Sequence, residues 1–219
     1  MHIVHTIKEA REYIAEARKN GKSIGFVPTM GFLHEGHLSL VNISKEYSSY
    51  QVMSIFVNKI QFNDQKDFDT YPKDLQRDFD LAEQVGVDLI FAPDDEEMYS
   101  NNLTFVDVEL LTENLCGAHR PGHFRGVFTV VSKLFNIIQP DVSVFGQKDI
   151  QQATSLEKMV HDLNYPVKMI IAPIVRESDG LAMSSRNKHL NDEQRKNALS
   201  IFKSLQKVEE LIEGGERNS

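Results

Sequence analysis

The sequence predicts an α/β fold: a mainly parallel sheet with helices on both faces. Short apolar segments rich in β-branched residues alternate with longer amphipathic segments through residue 174. This alternation favours right-handed β-α-β units, which bury both faces of a parallel sheet. Ligands of such sheets bind beyond the carboxyl ends of the strands, where the strand order reverses. We therefore expect the functional residues directly after strands.

The first half of the chain opens with a helix, because Thr6 and Glu9 form a capping-box pattern before an amphipathic segment. This helix is predicted over residues 7–19 and ends at Asn20-Gly21. The elements predicted after it are a strand over 23–28, a helix over 36–47, a strand over 51–57, a polar irregular segment over 58–71, and a helix over 72–85 that ends at Gly86.

The second half continues the alternation. Its predicted strands are 87–92, 103–109, 142–145 and 167–174, and its predicted helices are 125–138 and 149–162. The strand over 103–109 is expected to be more exposed than the others. Asn191 is expected to cap a final helix that extends to about residue 213. Because the composition becomes more polar near residue 186, we predict a domain boundary between 1–186 and 187–219.

The composition is that of an ordinary globular protein, with 41% hydrophobic and 26% charged residues. A net charge of −8 argues against a generic nucleic-acid-binding surface. Cys116 is the single cysteine, which excludes an intrachain disulfide or a cysteine-based zinc site. The N-terminus lacks a signal-peptide pattern, and no apolar run has membrane-spanning length. We expect a cytoplasmic protein without a membrane or nucleic-acid partner.

The most informative segment is residues 24–37, in which a buried strand gives way to a turn and then to two histidines. His34 and His37 lie three residues apart at the predicted start of a helix. A helix N-terminus attracts phosphate, and residues at this spacing share one face. Two surface histidines, one of them capping the turn, are the alternative. Zinc is disfavoured, because the metalloprotease pattern His-Glu-x-x-His is one residue longer.

Two further segments also follow strands and suit phosphate. Lys148 is a point charge behind Gly146, and Asp149 is expected to cap the next helix, on which Gln152 shares a face with Lys148. The segment Met183-Ser184-Ser185-Arg186 combines two hydroxyls with a guanidinium, a set that suits a triphosphate. Taken separately, these segments are also explained as a capped amphipathic helix and a generic polar loop.

Three polar features remain open on local evidence. Asn58 and Gln61 follow a strand and can both donate and accept hydrogen bonds, but a plain polar loop is the alternative. Asp78 lies on a helix whose acidic face can equally be solvated. Arg120 precedes Pro121-Gly122-His123, where a turn that begins a helix is the simpler explanation.

Together the motifs resemble a known family. His-x-Gly-His after a strand is similar to the signature of the nucleotidylyltransferase superfamily, which has a Rossmann-like fold. The longer string over 28–37 resembles the pantothenate synthetase (pantoate–β-alanine ligase) family, whose motifs follow in the same order over 24–187. The sequence departs from the family pattern at Asn63, where the family more often has Gly, and at Gln147, where it has Glu.

The resemblance implies ATP-dependent condensation of (R)-pantoate with β-alanine to pantothenate through a pantoyl adenylate, with release of AMP and pyrophosphate. It implies Mg²⁺ near Asp78, a homodimer, and catalytic roles for His34, His37, Lys148 and Arg186. The residues implied around ATP are Met30, Gly31, Phe32, Leu33, His34, Glu35, Gly36, His37, Gly146, Gln147, Lys148, Asp149, Val175, Met183, Ser184, Ser185 and Arg186. Those implied around pantoate are Met30, Asn58, Gln61, Arg120 and Gln152.

Two other functions stay open. Another nucleotidylyltransferase, which moves AMP or CMP onto a phosphorylated substrate, shares the histidine motif but does not explain Gln61 together with Gln152. A non-catalytic nucleotide-binding module predicts ATP binding without turnover. It gains weight because family members continue through a C-terminal domain that closes over the site, whereas this sequence ends at Ser219.

Overall fold

The computed structural model describes residues 1–217 and contains one six-stranded sheet. The strands are β1 (His2–Val4), β2 (Ile24–Thr29), β3 (Tyr50–Ile55), β4 (Leu89–Phe91), β5 (Val142–Gly146) and β6 (Lys168–Ala172). Their order across the sheet is β1-β4-β3-β2-β5-β6, and every neighbouring pair is parallel. The predicted mainly parallel α/β sheet is confirmed.

The helices connect these strands. The longer ones are α1 (Ile7–Lys19), α2 (Glu35–Lys45), α4 (Leu75–Gln84), α7 (His123–Ile138), α8 (Ile150–Asp162) and α9 (Asp192–Glu213). Short helices are α3 (Gln65–Asp69), α5 (Asp95–Tyr99) and α6 (Cys116–His119). Single 3₁₀ turns cover Lys59–Gln61, Gln147–Asp149 and Ser185–His189. The predicted caps of α1 and α9 are both present as capping boxes.

Three expectations need correction. The exposed strand predicted over 103–109 is absent, because the segment pairs with no strand and Val106 N donates instead to Thr129 Oγ1 on α7 (3.0 Å). The edge strand β1 was not predicted, since three residues are too few to show a period. The segment over 58–71 is not wholly irregular, because it contains the 3₁₀ turn Lys59–Gln61 and α3.

Two apolar cores lie on the two faces of the sheet, because neighbouring residues of a strand point to opposite faces. In β4, Leu89 and Phe91 belong to the core shared with α1, α7 and α8, whereas Ile90 belongs to the core shared with α2 and α4. In β2, Phe26 and Val27 divide in the same way. Burial on both faces explains why these strands are continuous apolar runs in the sequence.

The strand order reverses between β2 and β5, and this reversal opens the crevice that contains the site. Pairing between the two strands ends at Phe26 and Ser143. Pro28 lies two residues further along β2 and has no N–H for a ladder hydrogen bond. Pairing of β2 with β3 continues to Thr29. The carboxyl ends of β2 and β5 therefore separate at the switch point of the sheet.

The last helix, α9, packs loosely, with none of its residues buried. Its Arg195 pairs with Glu177 and Asp179 at 2.6 Å each, and Phe202 lies under the Arg176 guanidinium at 4.2 Å. These contacts join α9 to the segment over 176–180. The domain boundary predicted between 186 and 187 stays a prediction. In residues 1–217, no helix is both long and apolar enough to cross a membrane.

Candidate active site

A cavity of about 230 Å³ lies at the carboxyl ends of β2, β3, β5 and β6. It brings together most of the residues that the sequence singled out. Those that line it are Met30, His34, Gly36, His37, Asn58, Gln61, Gly146, Lys148, Asp149, Gln152, Val175, Met183, Ser184, Ser185 and Arg186. Motifs that follow different strands therefore lie together at one edge of the sheet.

His34 and His37 cap α2 reciprocally. His34 is the N-cap residue, and its Nδ1 accepts a hydrogen bond from Gly36 N at 3.1 Å. His37 Nδ1 in turn accepts from His34 N at 3.3 Å. The two rings lie 4.0 Å apart. The capping role, which the sequence left as an alternative to a functional one, coexists with a position in the cavity wall.

This capping fixes the tautomer of both rings. An Nδ1 that accepts a hydrogen bond carries no proton, so a neutral ring must carry its proton on Nε2. Burial, then His34 and Lys148, lower the pKa of His37 from 6.5 to about 3. Burial also lowers the pKa of His34, with further contributions from Lys148 and Arg77. At neutral pH the site therefore offers two neutral Nε2–H donors.

Gly36 allows this arrangement because its position has no room for a side chain. A Cβ atom there would lie 2.9 Å from both Cε1 and Nδ1 of His34. The His34 ring could not then fold back onto the N–H of residue 36. The glycine between the two histidines is thus explained by the capping geometry.

The two main cationic side chains are paired with carboxylates. Lys148 Nζ lies 3.1 and 3.0 Å from the two oxygens of Asp149. Arg186 binds Asp67 through two hydrogen bonds of 3.1 and 2.8 Å, and its guanidinium lies 5.2 Å from the centre of the Tyr71 ring. The predicted cap by Asp149 is corrected: Asp149 is the N-cap residue of α8, but its side chain makes no capping hydrogen bond.

The segment over 183–186 is attached to the histidine motif. Ser185 Oγ donates to the carbonyl of Phe32 (3.2 Å), and Ser184 Oγ accepts from Arg186 N (3.2 Å). Met183 Cβ lies 3.7 Å from where a Cβ on Gly36 would be. Two segments that are far apart in the sequence therefore form one wall of the cavity.

Asn58 and Gln61 face the cavity from the 3₁₀ turn that follows β3. Asn58 is 1% exposed, and its Nδ2 donates to Gln61 Oε1 at 2.8 Å. Gln61 Nε2 lies 3.1 Å from Met30 Sδ. Gln152, on α8, lines the same cavity. The side-chain amides of Gln61 and Gln152, which belong to different elements, therefore line one cavity.

Asp78, proposed from the resemblance as a neighbour of Mg²⁺, is 1% exposed and is not among the residues that line the cavity. Its two oxygens accept hydrogen bonds from the backbone N–H groups of Phe32 and Leu33, at 2.7 Å each. Phe32 has φ +49°, a conformation that is unfavourable for a bulky residue. Burial raises the pKa of Asp78, and these two N–H groups oppose that rise. The geometry gives Asp78 the role of anchoring the turn before His34.

Some predicted residues support the site from outside the cavity lining. Gly31, Phe32, Leu33, Glu35, Gln147 and Arg120 are the others absent from the lining. Leu33 is fully buried in the core. Arg120 Nη1 lies 3.0 Å from His123 Nε2, and His123 Nδ1 donates to the carbonyl of Gln61 at 2.7 Å. Arg120 therefore acts on the turn that carries Gln61.

The sequence analysis missed an apolar wall, which α7 supplies. The lining residues of this helix are Val127, Val130, Val131 and Leu134. Thirteen of the residues of α7 are buried. A helix that is apolar on nearly every side must be covered on nearly every side, by the protein core or by a ligand. That property of the sequence could have indicated that α7 faces both the core and a binding cavity.

Comparisons with known proteins agree on one family. The model of the family described as pantoate-beta-alanine ligase matches residues 2–219. A pantothenate synthetase from Thermoanaerobacter sp. (strain X514) is 60% identical over 220 residues, which cover 100% of this chain and 78% of that protein. The chain belongs to the pantoate–β-alanine ligase family and is a ligase.

Solved structures support the same assignment. Pantothenate synthetase from Thermus thermophilus is 46% identical with a TM-score of 0.93, covering 98% of this chain and 77% of that one. The ligase from Francisella tularensis is complexed with βγ-ATP and β-alanine. It is 38% identical with a TM-score of 0.89, and the match covers 94% of this chain and 79% of that one.

We predict that His37 remains neutral in the folded protein far below its usual pKa of 6.5. The unfolded state binds a proton below pH 6.5 and the folded state does not, so this residue lowers stability as the pH falls from 6.5 towards 3. Histidine NMR spectra between pH 8 and pH 5 should show no titration of His37. His37→Gln identifies its signal, and a midpoint near 6.5 would contradict the burial argument.

We predict that Asp78→Asn destabilises the fold by about 1–3 kcal/mol, because an asparagine can accept only one of the two backbone hydrogen bonds and leaves a buried N–H without a partner. Urea unfolding measures the change. Asp80→Asn, on the exposed side of the same helix, is the matched control and should change stability by less than about 0.5 kcal/mol. Equal effects of the two substitutions would refute the anchoring role.

Proposed function

We propose that this member of the pantoate–β-alanine ligase family condenses (R)-pantoate with β-alanine through a pantoyl adenylate, with release of AMP and pyrophosphate. The observation that supports this most strongly is one cavity that is lined by groups suited to phosphate, by side-chain amides and by an apolar wall. The substrates named for the Francisella ligase, an ATP form and β-alanine, fit the same proposal.

The phosphate half of the cavity is built for a nucleotide triphosphate. His34 and His37, whose Nε2 atoms carry the donors, line the cavity together with Lys148, Ser184 and Arg186. Neutral imidazoles donate hydrogen bonds without a full positive charge, whereas Lys148 and Arg186 supply the charge. We infer that the phosphates of ATP replace Asp149 as the partner of Lys148 and Asp67 as the partner of Arg186. Each cation then has an anionic partner both with and without ATP.

Other residues of the cavity suit pantoate. The apolar side chains of α7 match its branched carbon skeleton, and amides match its hydroxyl and carboxylate groups. Gln61 and Gln152 are the proposed polar contacts. Binding of both substrates in one cavity would bring the carboxylate of pantoate near the α-phosphate of ATP, and the contacts of Gln61 and Gln152 would orient it.

In the proposed reaction, a carboxylate oxygen of pantoate attacks the α-phosphorus of ATP, and the bond to the bridging oxygen of pyrophosphate breaks. The histidine donors and Lys148 stabilise the negative charge that develops on the phosphate oxygens, and Arg186 neutralises the departing pyrophosphate. The amine of β-alanine then attacks the carbonyl of the mixed anhydride. The amide forms, AMP leaves with the electron pair of the broken C–O bond, and the amine loses a proton.

Mg²⁺ is proposed to enter with ATP as part of the substrate. Within residues 1–217 no cluster of three histidine, cysteine or acidic side chains is arranged to bind a metal ion. Asp149 is the one carboxylate among the described lining residues. These residues would fit an ion held mainly by the phosphate oxygens; Asp149 would be its protein ligand, and the ion would supply positive charge to the phosphates.

Other proposals rest on the resemblance. A homodimer is expected, and sedimentation of the protein at several concentrations would test it. The boundary between residues 186 and 187 and a cytoplasmic location stay predictions. A different nucleotidylyltransferase activity is less favoured, because it leaves the amide pair and the apolar wall without a ligand.

We expect the chain to release pyrophosphate from ATP in the presence of pantoate, and AMP once β-alanine is added. Lys148→Ala should slow pyrophosphate release by about 10²–10³-fold, the usual effect of removing one contact to a developing charge. Lys158→Ala is the matched control, since this exposed lysine of α8 pairs only with Asp162 on the surface. ATP binding without any pantoate-dependent turnover of the unaltered chain would favour the non-catalytic module instead.

Gln152→Ala should raise the KM for pantoate by about 10- to 100-fold, while the KM for ATP changes by less than about twofold. A hydrogen bond to a charged group contributes about 1.5–3 kcal/mol, and 1.4 kcal/mol corresponds to a tenfold change in affinity. Initial rates at varied pantoate and varied ATP provide both constants. An unchanged KM for pantoate would reject the assignment of Gln152.

A further inference from the structure

We propose that Tyr99 is a positioning residue that determines which end of the Gln61 side-chain amide faces pantoate. This inference rests on the proposed role of Gln61 in pantoate binding. Tyr99 is the last residue of α5 and is not among the residues that line the cavity. It acts through Asn58, the residue that lies between it and Gln61.

The orientation of the Asn58 amide follows from its neighbours. Its Nδ2 lies 3.1 Å from the carbonyl oxygen of Gly126, a group that can only accept a hydrogen bond. The atom facing that carbonyl must therefore be the nitrogen. The second hydrogen of the same nitrogen is donated to Gln61 Oε1 at 2.8 Å. Both N–H groups of the Asn58 amide therefore donate hydrogen bonds within the protein.

Tyr99 completes this arrangement from the other side. Its hydroxyl donates to Asn58 Oδ1 at 2.6 Å, which satisfies the oxygen of an amide that is 1% exposed. Burial raises the pKa of the Tyr99 hydroxyl, so it keeps the proton that it donates. A rotation of the Asn58 amide by 180° would lose the hydrogen bonds at both its oxygen and its nitrogen, so this orientation is fixed.

The consequence appears at Gln61. Because its Oε1 accepts from Asn58, its Nε2 is left to face Met30 Sδ, at 3.1 Å, and the cavity. Gln61 therefore offers a hydrogen-bond donor to the ligand. A carboxylate or hydroxyl oxygen of pantoate is a suitable partner, whereas a reversed amide would turn the lone pairs of Oε1 towards a carboxylate.

The ring of Tyr99 is fixed independently of its hydroxyl. It packs against Phe56 with 5.9 Å between ring centres, and the Lys133 ammonium group lies 5.6 Å from the ring centre. The ring also packs on the core around α7. Removal of the hydroxyl alone therefore leaves the packing of the ring in place and tests the hydrogen bond by itself.

The primary test is Tyr99→Phe, assayed by pantoate-dependent pyrophosphate release. We expect the KM for pantoate to rise about five- to tenfold, as for the loss of one buried hydrogen bond. The KM for ATP and kcat at saturating pantoate should stay within about twofold of the unaltered protein. Tyr165→Phe is the matched control, because this ring packs on Phe135 and does not line the cavity.

A second variant tests the direction of the amide. Asn58→Asp replaces the donor with an oxygen, so Gln61 would have to turn its Nε2 towards residue 58 and its Oε1 towards the ligand. We expect a larger rise in the KM for pantoate than Tyr99→Phe causes, again without a comparable change for ATP. Circular dichroism and the urea midpoint establish that each variant is folded.

The outcomes separate this inference from the proposed function. If the unaltered protein shows no pantoate-dependent turnover, the proposed function fails. If it turns over but Tyr99→Phe leaves the KM for pantoate unchanged, the positioning role of Tyr99 is overturned. Equal rises in the KM values for pantoate and ATP would also overturn it, since they would indicate a general distortion of the cavity.

Discussion

The reciprocal cap between His34 and His37 is the interaction on which the phosphate half of the site depends. It satisfies the N–H groups of His34 and Gly36, which would otherwise lack partners at the start of α2. The same two bonds engage both Nδ1 atoms, so that both rings present Nε2–H. A single local arrangement therefore ends the loop, begins the helix and sets the protonation of the two proposed catalytic groups.

This cap also changes how the site would bind phosphate. From the sequence, free backbone N–H groups at the helix start were expected to attract the anion. In the structure, Gly36 N is taken by His34 Nδ1, and the N–H groups of His37 and Leu38 bond to the carbonyl of His34. The imidazole side chains of His34 and His37 present the donors instead. A triphosphate can then be contacted without the close backbone approach that a glycine-rich loop requires.

Five of the six strands and the long helices were predictable from sequence, because apolar runs buried on both faces and cap residues such as Thr6 and Asn191 are local signals. The meeting of the motifs at one edge of the sheet was also predictable from the rule for parallel strands. What failed depends on partners distant in sequence. Residues 103–109 carry alternating apolar residues, but Thr129 rather than a strand satisfies the N–H of Val106.

The same limit applies to side chains whose contacts the sequence does not show. The sequence shows that Asp78 is an acid on a helix, but not that two backbone N–H groups from the turn before His34 point at it. From the sequence alone, either the oxygen or the nitrogen of the Gln61 amide could face the ligand. Only the chain of contacts through Asn58 to the Gly126 carbonyl distinguishes them.

Gly126 connects this orientation to the packing of α7. A Cβ at this position would lie 2.5 Å from the carbonyl oxygen of Ile60 and 2.7 Å from Gln61 Cα. The absence of a side chain lets the turn that carries Gln61 lie directly on α7, whose other residues form the apolar wall. The donor of Gln61 and the apolar wall are therefore fixed to one helix. Because that helix is packed in the core around Phe128 and Phe135, the proposed pantoate half of the cavity is shaped before substrate arrives.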